Sequence, residues 1–222
     1  FDQQIQYPAT LLNADGFDVD DLENYNVLVM PSGRYSDVLD DDTLDDLQAW
    51  IRDGGRLIAV GGGAVSALAG KDGFALRRKD DNGDDEDEAD DDPPDPETFD
   101  YSQREREAAR EGTPGSIHRV QLDGTHPLGF GMGDTYYTLK RSDTPYALLD
   151  DDWNVGVLRE GQPVSGFMGH EAQAALDSTL VAGVQDMGRG AVVYLVDNPL
   201  FRGFWQSGKR LVGNAVFLVG QD

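Results

Sequence analysis

Between Arg56 and Gly70 the chain reads RLIAVGGGAVSALAG: an apolar run, three glycines, then small residues able to turn straight into a helix. An uninterrupted apolar run suits a strand buried on both faces, and such strands belong to parallel sheets covered by helices. The flanks repeat the pattern. Upstream, YNVLVMP (25–31) is a second apolar run halted by proline, with SGRYSD as its loop. DDDTLDDLQAWIRDGG (40–55) then predicts a helix capped by Asp41, Asp42 or Thr43, with Leu44, Leu47, Trp50 and Ile51 as its apolar stripe. Gly54 and Gly55 supply its left-handed stop. Near the end, AVVYLVD (191–197) reads as a buried strand, NPLFRG as a turn and FWQSGKRLVGNAVFLVG (204–220) as a closing helix. Phe204, Leu211, Ala215 and Leu218 are expected on its inner face.

Between these parts the pattern changes. KDDNGDDEDEADDDPPDPETFD (79–100) has no apolar periodicity, dense like charge and three prolines, so it reads as a disordered, solvent-swollen insert. It lacks the spacing of an EF-hand calcium loop, since the residue five before Gly83 is Arg78. SQREREAAREG (102–112) predicts a short helix with Ser102 and Glu105 in capping-box spacing. SIHRVQL, TYYTLK, YALLD and WNVGVL follow as short strands, the first with one wet face, forming an antiparallel extension. The expected architecture is one α/β domain over 1–222: a doubly wound, mostly parallel sheet with helices on both faces and an antiparallel β extension.

Charge narrows the partners. The chain carries a formal −24, from 42 acidic and 18 basic residues, which opposes binding to nucleic-acid backbones or anionic membranes. Thirteen of the acids lie in 80–100 with no base among them, so the rest of the chain still carries −11. Asp supplies 33 of the acids and Arg 14 of the bases, a balance expected of a salt-loving organism, where high salt screens the self-repulsion. No stretch approaches the roughly 20 apolar residues of a membrane span. The sequence opens without Met and reads as a piece of a longer chain.

The chemistry-bearing residues are sparse. With no Cys, thiolate catalysis and Cys-ligated metals are excluded, and His118, His126 and His170 fall in no H-x-x-E or H-E-x-x-H pattern. His126 reads as a turn residue and His170 as a helix start. Ser66 lies five residues past Gly61, inside the helix, and is expected to face away from the strand-to-helix tip. GGGAVS can offer backbone N–H groups to an anion, but the P-loop Lys and the full G-x-G-x-x-G are missing. The corner is thus a disarmed catalytic elbow, a ligand cradle or a tight turn.

YNVLVMPSGRY, WIRDGGRLIAVGGGA, PGSIHRVQLDGTHPLGFGMGDTYYTL and VVYLVDNPLFRGFWQSGKRLVGNAVF together resemble the C-terminal domain of large bacterial zinc carboxypeptidases of the carboxypeptidase A-like class. The resemblance covers nearly the whole chain apart from the acidic insert, and DNPLFRGFW with GNAVF is its most specific piece. That domain is similar in fold to class I glutamine amidotransferases, which implies a flavodoxin-like sheet. Their elbow reads G-x-C-x-G; here Ala59, Gly61 and Gly63 take those places, so the nucleophile position implied by the resemblance is Gly61, with Gly62 beside it. The implied His position is Asn198, or Asp197 if the register shifts by one. Both catalytic identities are lost.

The resemblance further implies zinc, but in a separate N-terminal peptidase domain of a secreted or periplasmic parent, with no cofactor in this chain. The expected role is a non-catalytic accessory or interaction domain that packs on that peptidase domain or helps to position its peptide substrate. The rival is an anion-binding or small-molecule sensor. In either case the loops PSGRY, GGGA and DNPLFRG are expected at the carboxyl edge of the strands, where Gly33, Arg34 and Arg202 are the candidate crevice contacts.

Overall fold

The computed structural model describes residues 6–14, 16–79, 112–203 and 205–220. The acidic insert beyond Lys79, the helix expected from Ser102 and the side chain of Phe204 lie outside them. Eight strands form one sheet: β1 (Val27–Met30), β2 (Arg56–Val60), β3 (Gly115–Leu122), β4 (Thr135–Lys140), β5 (Trp153–Leu158), β6 (Ser165–Phe167), β7 (Thr179–Met187) and β8 (Gly190–Leu195). Their order is β1-β2-β8-β7-β5-β3-β4, with β6 pairing β3 off that path. β1, β2 and β8 run parallel, with Met30 opposite Ala59 and Val60 opposite Leu195. The other five pairings are antiparallel. The fold is α/β with a mixed sheet, and its antiparallel portion is larger than the sequence predicts.

Helices cover both faces. α1 (Asp41–Arg52) and α2 (Gly62–Leu68) lie on one, α3 (His170–Ala175) and α4 (Gln206–Phe217) on the other. Side chains alternate across a strand, so β2 sends Leu57 and Ala59 into the core under α1 and α2, and Ile58 and Val60 into the core under α4. β8 divides likewise, with Val192 and Tyr194 on the first face and Val193 and Leu195 on the second. Five consecutive buried residues in β2 are what two covered faces demand.

Several local expectations need correction. The cap of α1 is Asp40, whose Oδ1 accepts from the Thr43 N–H at 2.9 Å. Only Gly54 of the following pair is left-handed; Gly55 instead gives way to the Trp50 ring, which a Cβ there would meet at 2.4 Å. YALLD makes only an isolated bridge, Tyr146 to Arg78, and no strand. In α4, Leu211 and Ala215 are buried as expected, whereas Leu218 follows the last turn and is 38% exposed. Arg56, buried at the start of β2, donates from Nη1 to the carbonyls of Val216 (2.7 Å) and Ala215 (3.4 Å) and so caps the negative end of α4.

The ribbon β3–β4 shapes the upper edge of the sheet. Only Gln121 and Leu122 of β3 pair with β5; the rest of β3 runs on past the end of β5, paired with β4 and β6. The Trp205 indole N–H, at the entry to α4, donates to the Tyr137 carbonyl at 2.8 Å and holds β4 back toward the parallel strands. The curl brings the carboxyl end of β4 beside the loop that leaves β8. Among the described residues no helix is long and apolar enough to cross a membrane.

Candidate functional site

Three loops leave the carboxyl ends of β1, β2 and β8 side by side. After β1, Pro31 ends the strand, and the Tyr35 hydroxyl closes the loop by donating to the Pro31 carbonyl at 2.6 Å. After β2, Gly61 has φ 79° and ψ 165°, a backbone region open essentially to glycine alone. Its N–H donates to the Leu195 carbonyl at 2.8 Å and its carbonyl accepts from Val65 N–H at 3.1 Å, so it is both strand end and helix cap. After β8, Asn198 Oδ1 accepts from the Leu200 N–H at 2.9 Å and starts the turn through Phe201–Gly203.

Gly61 therefore stands at the tip, between the loops after β1 and β8. A Cβ there would lie 3.0 Å from Ser32 Cβ and 3.8 Å from Asn198 Cβ. Gly63 does not face the crevice: a Cβ on it would strike the Gly33 carbonyl oxygen at 2.2 Å, so Gly33 and Gly63 pack backbone to backbone. Ser32 Oγ accepts from the Gly63 N–H at 3.3 Å across the same seam.

The loops enclose a crevice of about 530 Å³. Gly61, Gly62, Asp197 and Asn198 line it together with Ser32, and Arg34 and Arg202 do not. Arg34 is exposed beyond the rim. Arg202 sits in a left-handed turn at φ 51° with its guanidinium 5.3 Å from the Phe201 ring centre. The cations that line the crevice are Arg78, Lys140 and Arg141, brought in by the curled ribbon and by the segment bridged to Tyr146. Ser66 also lines it, contrary to expectation. It lies one helical turn past Gly62, and side chains i and i+4 share a face leaning toward the N-terminus. Its hydroxyl donates to the Gly63 carbonyl at 3.2 Å.

Asp197, at one of the two positions implied for a catalytic His, is committed elsewhere. Its Oδ2 accepts from Thr138 Oγ1 at 2.8 Å, and its Oδ1 accepts from Lys140 Nζ at 3.3 Å. The Lys140 side chain is 1% exposed and that of Asp197 9%. Behind this pair, on the same face of the ribbon, Ser116 and His118 are sealed, with Ser116 Oγ 2.8 Å from His118 Nε2. The His118 Nδ1 atom has no hydrogen-bond partner. Neither side chain opens into the crevice, so this serine and histidine cannot reach a ligand held there.

Burial, reinforced by the Lys140 charge and opposed by Asp197, holds His118 below the ordinary imidazole range. The unfolded chain therefore takes up a proton near pH 6.5 that the folded chain refuses. Stability present above that pH is lost as pH falls toward the depressed value. The contribution reaches about 1.4 kcal/mol per pH unit at most. Denaturant unfolding of His118→Gln between pH 7 and 5 should give a flatter profile than the parent chain. Parallel profiles would clear His118 of the effect.

The other histidines are structural. His126 Nδ1 accepts from the Leu128 N–H at 3.0 Å and caps the short turn Pro127–Gly129, and His170 opens α3. Among the described residues no three His, Asp or Glu side chains converge as metal ligands would.

The fold and crevice define a mixed-sheet α/β domain whose concave site lies at the carboxyl edge of three parallel strands. No protein-family model and no curated protein matches the chain. It is similar to a solved structure, the cytoplasmic protein STM3548 from Salmonella typhimurium, at 13% identity and a TM-score of 0.47, over 90% of this chain and 73% of that one.

Proposed function

We propose that this chain is a non-catalytic accessory or interaction domain with the flavodoxin-like, doubly wound topology of the amidotransferase-like class. In this reading it works beside the zinc carboxypeptidase domain that the sequence resemblance implies, in a secreted or periplasmic protein of a salt-loving organism. Zinc and proteolysis belong to that separate domain, and this one packs against it or helps to hold its peptide substrate.

The observation that carries the reading is the state of the corner. At the nucleophile position Gly61 has no side chain and a backbone conformation that other residues adopt only under strain. At the second position Asn198 Oδ1 accepts from the Leu200 N–H, and with the register shifted by one the Asp197 carboxylate is held by Lys140 and Thr138 instead of standing as a general base. Fold alone does not carry an activity, and here neither reacting group of the implied elbow is present.

Purified chain incubated with glutamine and with p-nitrophenyl acetate should show turnover no higher than buffer. Turnover that saturates with either substrate and disappears in Gly61→Ala or Asp197→Asn would overturn the proposal. Coexpression with a peptidase domain encoded in the same reading frame should yield a stable complex, and failure to associate would remove the accessory role.

A further inference from the structure

We infer that the crevice at the strand edge is a binding site for a small organic carboxylate with an apolar body. The first observation is a local inversion of charge. The chain carries −24, yet among the described residues the crevice is lined by three cationic side chains, Arg78, Lys140 and Arg141, against one carboxylate, Asp197. Lys140 is neutralised by Asp197. Arg78 and Arg141 have no carboxylate partner among the described residues. Two exposed guanidiniums lining one concavity make it locally cationic on an acidic chain.

The second observation is how the site is built. Arg141 lies with its guanidinium carbon 5.3 Å from the Phe201 ring centre, a cation–π contact that steadies it at the wall. Leu139, Val196 and Phe201 give the crevice apolar surface beside the cations, and its volume of about 530 Å³ suits a small organic molecule. A planar guanidinium matches a carboxylate through two parallel hydrogen bonds. Asp197 is balanced by Lys140, so the two guanidiniums make the wall an anion site, and the apolar wall beside their planar forks points to an organic carboxylate as the ligand class. Neither the glycine corner nor the amidotransferase-like reading is needed for this inference, so the two fail separately.

The test is calorimetric titration of the full chain with 3-phenylpropionate, its amide and phenyl phosphate at one fixed salt concentration. 3-Phenylpropionate should bind saturably, and the amide should not. Arg78→Gln and Arg141→Gln should each weaken binding by roughly 10-fold, the effect of losing one charge-assisted pair. Both side chains are exposed, so these variants should keep the parent's unfolding midpoint, which a parallel melt checks. No saturation by about 10 mM carboxylate, equal binding of the amide, or undiminished binding by the double variant would each overturn the site. Tighter binding of phenyl phosphate than of the carboxylate would overturn the ligand class.

Discussion

Lys140→Ala should lower the unfolding free energy by about 3–5 kcal/mol, the cost of leaving a buried charge without its partner. The Asp197 carboxylate would keep only the Thr138 hydroxyl, 2.8 Å away, in a site that leaves its side chain 9% exposed. The loss reaches beyond the pair, because Lys140 ends β4 and Asp197 begins the loop after β8. Their bond spans 57 residues and ties the curled ribbon to the parallel strands. Removing both charges together is a different perturbation: Lys140→Met with Asp197→Leu removes two desolvation costs along with one attraction. That double variant should therefore recover most of the loss. Denaturant unfolding of the parent, both single variants and the double variant at one salt concentration gives the coupling energy directly. A Lys140→Ala chain within 1 kcal/mol of the parent would show that water reaches the pair and that it does not anchor the ribbon.

What could be read from the sequence follows from the range over which each signal acts. β1, α1, β2, β8 and α4 form where apolar runs and helical spacing place them, because burial on two faces or one stripe is written locally. The loops after β1, β2 and β8 meet as parallel strands require, which brings Ser32, Gly61 and Asp197 together. β7 has a local signal too: Met187 pairs with Gly190 across the two-residue loop Gly188–Arg189, with Gly188 at φ 64°, a common tight-hairpin arrangement. The crevice cations were not legible in that way. Arg34 and Arg202 are near the strand ends in sequence, whereas Arg78 and Arg141 reach the crevice through long-range contacts. One local clue to the buried polar face did exist. Alternation in TYYTLK puts Tyr136, Thr138 and Lys140 on one side of β4, opposite Ser116 and His118 on β3, so a lysine falls where a core residue is due. Two-residue periodicity identifies that face as buried, but only the tertiary curl supplies Asp197 as its partner.

The three glycines of the corner should respond to alanine in three different ways, and Gly63→Ala should be the most damaging, at about 3 kcal/mol. At Gly63 the new Cβ would meet the Gly33 carbonyl oxygen at 2.2 Å and its nitrogen at 2.7 Å. Both are backbone atoms, so no rotamer change relieves the contact. Either α2 or the loop after β1 must move, and that loop is fixed by the bond from the Tyr35 hydroxyl to the Pro31 carbonyl. Movement would also break the bond from the Gly63 N–H to Ser32 Oγ. At Gly61 the cost is of another kind, about 1–3 kcal/mol of backbone strain at φ 79°, with Ser32 Cβ at 3.0 Å. At Gly62 nothing lies within 4 Å of a new Cβ and the residue is already helical, so alanine should stabilise by about 0.4–1 kcal/mol through the unfolded chain. The expected order of stability is Gly62→Ala above the parent, then Gly61→Ala, then Gly63→Ala. Equal losses at all three would mean the glycines serve chain flexibility and not these contacts. The expected order would instead separate the position facing the crevice from the one that holds the loops in register.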